Sequence, residues 1–258
     1  MTTSTFNSPS KLQQRLAGAL GLALLLVLWE LASRRLHPLI LPSPKETWRA
    51  LEGLWRDGSL TANLALTLGR TVGGFGLALL AGCALAALSQ STSLVQALLR
   101  PLVAVVQIIP PVVWMVLAVI WFGIASGRAA AFLIFIVTLP LTFAQSTAGL
   151  EGIDVKLVEM ARVYRCSPGR ILTHIYLPAL LPQLAAAVGV GFSFAWKAAV
   201  FAEFMGSNSG VGFLLSTANS NLETDKVFAW VLVLIAVMLA CEYGLLQPLR
   251  RRAARWSG

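Results

Sequence analysis

Proteolysis performed inside a membrane would need a serine motif with a membrane histidine, paired membrane aspartates, or an HExxH zinc helix. The sequence offers none of these constellations. Gly191-Phe192-Ser193-Phe194-Ala195 lacks the second glycine of a GxSxG nucleophile turn. His37 and His174 lie outside the apolar segments, and so do Asp57, Asp154 and Asp225. No GxxxxGK(S/T) phosphate loop occurs, so any nucleotide is hydrolysed elsewhere. Cys83, Cys166 and Cys241 stand far apart without CxxC spacing, which implies neither a disulfide framework nor a zinc site. One ionisable residue is nevertheless out of place. Lys197, beside Trp196, sits within an apolar run where a central lysine costs roughly 2.5–3.5 kcal/mol on insertion scales. Three readings stand open: a structural ion pair with Glu203, Glu30 or Glu242, a positive lining for the route of an anion, or snorkelling to the interface.

A second informative stretch is Glu159 to Pro178, EMARVYRCSPGRILTHIYLP. Residues Asp154 to Tyr164 have a helical pattern. Ser167-Pro168 is an N-cap and first-residue signal for a second short helix, whose apolar face is Ile171, Leu172 and Ile175 and whose end is expected at Leu177-Pro178. A polar, arginine-bearing helix pair between two long apolar segments is a surface built to touch a soluble partner.

The elements that must position these residues follow from composition. The chain is 57% hydrophobic and only 12% charged, against about 25% charged in soluble domains. Its mean hydropathy is +0.76, so it is solvated mainly by lipid. The formal charge of +9 resides in loops and at the C-terminus, which reads as membrane-surface anchoring and not as nucleic-acid binding. Six spans are expected, near 16–33, 71–89, 100–122, 129–148, 179–202 and 227–247. No small-residue cleavage site follows the first run, which reads as a retained span and not as a signal peptide. Residues 43–57 form an amphipathic helix, N-capped by Ser43 with Pro44 behind it, that either lies in the interface or caps the bundle. With six spans and both termini inside, eleven basic residues face the cytoplasm against eight outside, and the Arg250-Arg251-Arg252/Arg255 tail supports that orientation.

Two spans carry ladders of small residues, Gly74, Ala78, Gly82, Ala86 and Ala187, Gly191, Ala195, Ala199, which suit close helix approach. Pro110-Pro111 and Pro140 interrupt two other spans and must be re-satisfied by neighbours or water. Kinked, closely packed helices suit a transporter.

The 159–178 stretch resembles the EAA loop of ATP-binding-cassette (ABC) importer permeases, patterned EAA, three residues, G, nine residues, I, one residue, LP. Glu159, Ala161, Ile175, Leu177 and Pro178 match. Met160 replaces the second-position alanine, Arg165 stands at the usual glycine, and Cys166-Ser167 occupy the usual Ala-Ser places. An arginine at that glycine adopts the required backbone only at a cost. Three further segments resemble the sulfonate/nitrate/taurine-type permeases: LILPSPKETWRAL, VVQIIPPVVWMVLAVIWFGI and VFAEFMGSNSGVGFLL.

The resemblance implies an all-α type I permease fold: an N-terminal tail over 1–15, a transmembrane domain over 16–247 and a basic tail over 248–258. It implies no catalytic residue and no cofactor on this chain, with ATP and Mg bound in a partner. The implied partners are a cytoplasmic ATPase dimer, a periplasmic or lipid-anchored solute-binding protein, a second copy of the chain and bacterial inner-membrane lipid, with no nucleic acid. It makes residues 149–178 the coupling loop, with Glu159 as the acidic contact, Arg162, Arg165 and Arg170 facing the ATPase or lipid, and Pro178 fixing the start of span five. Lys197, Trp196, Glu203, Pro110 and Pro111 are candidates for the translocation path. Relatives of this type carry alkanesulfonates, taurine, nitrate, bicarbonate, vitamin precursors and other small solutes. The expected cargo is a small anion of the sulfonate, taurine or nitrate kind; the alternatives are a vitamin precursor or other small solute and, in a different class, a facilitator without an ATPase.

Overall fold

The computed structural model describes residues 10–253, and all the regular elements among them are helices. The N-terminal tail up to residue 9 and the end of the basic tail from residue 254, including Arg255, lie outside the described residues. In chain order the helices are α1 Lys11–Ser33, α2 Pro44–Arg56, α3 Ser59–Ser89, α4 Ser93–Ile108, α5 Pro111–Phe122, α6 Gly127–Glu151, α7 Val155–Val163, α8 Pro168–Ile171, α9 Leu177–Gly206, α10 Val211–Ser220, α11 Thr224–Cys241 and α12 Gln247–Ala253. Five of the helical runs are long and apolar enough to cross a membrane, or six if the bent α4–α5 pair counts as one.

Helix α6 is the centre, packed against α3 on one side and α9 on the other. In its most apolar stretch 61% of residues are buried, against 0% for α1. Small residues make this possible. The α3 ladder Gly74, Ala78, Gly82 and Ala86 is buried, and a Cβ at Gly82 would meet Thr142 on α6. Thr142 Oγ1 donates to the Ala78 carbonyl at 2.9 Å, a bond that only close backbones permit. The α9 ladder is likewise buried. Gly191 admits the Phe75 ring, which meets Phe192 edge-on at 6.3 Å.

Helix α3 begins at Ser59, twelve residues before the span expected at 71–89. Its added turns carry Asn63, Thr67 and Arg70, polar groups that have partners inside the fold and so do not end the helix. The expected span over 100–122 is two helices, bent by 94°. The residue before a proline is driven out of the helical region, and Ile109 is accordingly extended at φ −68°, ψ 124°. Pro110 has no N–H for the Val106 carbonyl one turn back. The Trp114 indole donates to that carbonyl instead, at 3.2 Å, and rejoins the two halves.

Helix α2 is a cap on the bundle. Its apolar side, Leu54 with Ala50 and Leu51, packs on Leu60 of α3 and on Trp230 and Val233 of α11, while Trp48 and Trp55 face outward. Ser43 and Glu46 close a capping box at its start. The Ser43 N–H and hydroxyl, both donating to Glu46, hold that carboxyl below its ordinary value.

Leu177-Pro178 does not end a helix as expected. From Pro168 to Gly206 the chain is one helical run of 39 residues, joined by a π-helical turn at Leu172–Tyr176. A second π-turn, Glu242–Leu246, joins α11 to α12. Each π-turn ends two residues before a proline, Pro178 or Pro248. A proline in a helix removes one N–H and crowds the carbonyl four residues back. Widening that turn relieves the crowding while a bond five residues long, from the Leu177 N–H to the Leu172 carbonyl, keeps the helix continuous.

Candidate functional site

The bundle presents three sites with distinct chemistry. The first is the loop at the end where α6 stops and α9 starts. Asp154 caps α7 by accepting from the Lys156 N–H at 2.9 Å. At the other end of α7 the chain closes a Schellman motif. The Cys166 N–H donates to the Ala161 carbonyl at 2.9 Å, the Arg165 N–H donates to the Arg162 carbonyl at 2.9 Å, and Arg165 sits at φ +52°. The turn forms with arginine in the left-handed corner that suits glycine. Ala161 is buried, Cys166, Ile175 and Pro178 are half-buried, and Glu159, Met160, Arg162, Ser167 and Leu177 are exposed. Two residues not singled out in the sequence join the exposed face of α7: Val163, 80% exposed, and Tyr164, 77% exposed. Their signal was available, since Met160, Val163 and Tyr164 recur at helical spacing opposite the buried Val158 and Ala161.

The second site surrounds Lys197. None of the three acids proposed as its ion-pair partner serves that role. Glu203 pairs with Arg70, Glu30 with Arg34 and Glu242 with Arg250. Among the described residues no salt bridge forms to Lys197, whose Nζ lies 5.8 Å from the Phe194 ring centroid. The lysine is exposed on α9. It reaches a cavity of about 400 Å³ that is lined by Pro110, Pro111 and Val112 at the α4–α5 elbow, by Val137 of α6, and by Phe194 and Phe201 of α9. The structure thus brings Lys197 together with Pro110 and Pro111. Trp196 is buried on the neighbouring side of α9, where it lines a different cavity that Lys197 also touches.

Glu203 belongs to a third site, which the sequence reading did not assemble. Its carboxylate is fully buried, and its partner Arg70 has a side chain only 15% exposed. Arg70, one of the eight basic residues expected in the outer loops, lies inside α3. Arg70 Nη1 donates to Glu203 Oε1 at 2.7 Å and to the Ser209 carbonyl at 2.8 Å, and Nη2 donates to Ser209 Oγ at 2.8 Å. Thr67 Oγ1 lies 2.7 Å from Glu203 Oε2. The N–H groups of Val211 and Gly212, the first two of α10, donate to Thr67 Oγ1 at 2.9 Å and to Glu203 Oε2 at 3.1 Å. The Gly210 N–H reaches Asn63 Oδ1 at 2.8 Å. Gly210 lies at φ +101°, and a Cβ there would overlap the Glu203 carboxylate.

The comparisons with known proteins agree with this architecture. The profile of the family described as "Binding-protein-dependent transport system inner membrane component" matches residues 74–245. The taurine transport system permease protein TauC of Escherichia coli is 27% identical over 91% of this chain and 87% of its own length. The putative aliphatic sulfonates transport permease protein SsuC of Escherichia coli is 31% identical over 90% of this chain and 89% of its own. In fold, the chain is similar to a subunit of the MetNI methionine ABC transporter in an inward-facing conformation, with a TM-score of 0.59, 18% identity, and coverage of 76% of this chain and 94% of that one. An amino acid ABC transporter gives 0.62 and 18%, covering 78% and 97%. The family profile and the permease relatives, with which the fold agrees, define the membrane subunit of an ABC transporter. The chain belongs to the family of binding-protein-dependent transport system inner membrane components. It is a transport component and not an enzyme, ATP being hydrolysed by a separate ATPase. That family implies an ATPase and a solute-binding protein as partners.

Proposed function

We propose that two copies of this chain form the translocation route of an importer for a small organic anion of the sulfonate or taurine kind, and that residues 149–178 dock a cytoplasmic ATPase. The observation that carries the reading is the outward face of α7, where Met160, Val163 and Tyr164 stand exposed beside Glu159 and Arg162 at an end of the bundle. An exposed apolar cluster rimmed by charge, beyond the spans and so in water, is a protein-docking surface. A facilitator working without an ATPase has no use for one. ATP and Mg would be bound in that partner.

The substrate class rests on Lys197. An exposed cation without an acid partner, among Phe194, Phe201, Val112 and Val137, suits an anion with an organic body better than bare nitrate. The names of the two relatives, a taurine and an aliphatic sulfonate permease, support the same class. Both termini are read as cytoplasmic, with a tail over 1–15, the transmembrane domain over 16–247 and a basic tail over 248–258. Withdrawing Arg70 from the outer loops leaves eleven inner basic residues against seven outer ones, which favours this orientation. On the outer side, α2 over 43–57 would hold Trp48 and Trp55 at headgroup level.

The test is co-purification from cells that also express the ATPase and binding protein, followed by ATPase assay in lipid. Glu159→Lys is expected to insert normally but to lose the ATPase or its stimulation. Normal co-purification together with normal uptake in that variant would overturn the docking role. A ligand screen on the binding protein names the cargo, and a neutral ligand would overturn the anion assignment.

A further inference from the structure

Gly210 is the N-cap residue of α10, yet it has no side chain with which to cap. The first N–H groups of a helix need partners and carry a partial positive charge. Here other elements supply them: Thr67 from α3 takes the Val211 N–H, and Glu203 from α9 takes that of Gly212. Arg70 then ties the Glu203 carboxylate to Ser209, in the segment leading into α10. The start of α10 is therefore fixed by two long helices and not by its own sequence. One of them, α9, continues without a break to the loop at the opposite end, a run of 39 residues and about 58 Å at 1.5 Å per residue.

A buried ion pair is weak evidence for stability, because desolvation offsets most of its attraction, and well-packed apolar residues of similar volume often do as well. What apolar residues cannot do is accept the Gly212 N–H and donate to the Ser209 carbonyl. We propose that Arg70 and Glu203 are positioning residues that pin the 207–212 segment and α10 to α9, so that a load applied at that end by the solute-binding protein moves the same helix that carries the ATPase-docking loop. The inference rests on the coupling reading given above.

The decisive variant is the double substitution Arg70→Leu, Glu203→Leu, assayed as the full complex in lipid with its ATPase and binding protein. The complex is expected to assemble with its unstimulated ATPase rate retained and its unfolding temperature lowered, because the Gly212 N–H and the Ser209 carbonyl lose their partners. Stimulation by loaded binding protein is expected to fall by at least about fivefold, the loss of a coupling free energy of ordinary size. Stimulation that survives in the assembled complex would overturn the inference and make the pair structural only. Should the double variant not assemble, Glu203→Gln decides. It keeps the shape but has one acceptor oxygen where the carboxylate has two, so it cannot accept from both Arg70 Nη1 and the Gly212 N–H as Glu203 does, and wild-type stimulation in it would overturn the inference equally. A wild-type complex that shows no stimulation overturns the coupling reading itself, and this inference with it. Those two failures are therefore told apart.

Discussion

Arg165 holds a left-handed backbone, at φ +52°, in the turn that closes α7. The Cβ that every non-glycine residue carries makes that conformation cost roughly 1–2 kcal/mol. The two Schellman hydrogen bonds and the half-buried Cys166 hold it there. Arg165→Gly is expected to raise stability by about 1 kcal/mol, read as a higher unfolding temperature in detergent, while removing one charge from the turn after α7. Lys197 stands apart from all three acids that its position in the sequence offers it. With each candidate acid engaged elsewhere, no acid among the described residues pairs with Lys197, and the Phe194 ring centroid lies 5.8 Å from its Nζ. Lys197→Met is expected to lower uptake of an anionic cargo about tenfold, the loss of one charge-assisted contact. Normal co-purification with the ATPase should persist, and unchanged transport kinetics would remove Lys197 from the path.

At the scale of elements, Pro140 does not interrupt its span as expected but lies buried inside an unbroken α6, while prolines at three other places act in two different ways. Pro110-Pro111 sever a span into α4 and α5, whereas Pro178 and Pro248 are absorbed by π-turns that keep their helices continuous. The broken span survives because the Trp114 indole accepts the task of the missing N–H at the Val106 carbonyl. Trp114→Phe keeps most of the ring packing against Phe132 but leaves that carbonyl unpaired. It is expected to destabilise the fold by about 1–3 kcal/mol, measured by thermal unfolding, and an unchanged midpoint would show that water replaces the indole. The π-turn at Leu172–Tyr176 has a different consequence. It lets α8 feed directly into α9, so the loop's second helix is the first turn of a run that continues as α9 and not a separate piece.

At the scale of the molecule, α3, α6 and α9 approach closely because their facing residues are small. Within lipid there is little hydrophobic drive between helices, so close packing and interhelical bonds such as that from Thr142 to the Ala78 carbonyl must hold them. Gly82 and Gly76 give a matched comparison on one helix. A Cβ at Gly82 would fall onto Thr142, whereas one at Gly76 meets nothing within 4 Å. Gly82→Ala is expected to destabilise by about 1–3 kcal/mol through overpacking. Gly76→Ala is expected to be neutral or to gain up to about 1 kcal/mol from helix propensity. Equal unfolding temperatures for the two variants would contradict the close α3–α6 contact.

Much of this was legible in the sequence because it depends on local composition and periodicity. Span count, the small-residue ladders, the Ser43 capping box and the EAA-like loop each follow from residue type at short spacing, and the family profile agrees with the class they imply. What the tertiary structure decided were relations across more than a hundred positions of chain. The pairing of Arg70 with Glu203, 133 residues apart, turned an apparent loop charge and a candidate path residue into one buried pin. The same bond denied Lys197 its nearest acid. Periodicity places a residue on a face, but a buried charge takes whichever partner the packing brings within hydrogen-bond reach, because a buried ion left unpaired costs several kcal/mol. That choice is made by the arrangement of α3, α9 and the 207–212 segment in space, and no local pattern encodes it.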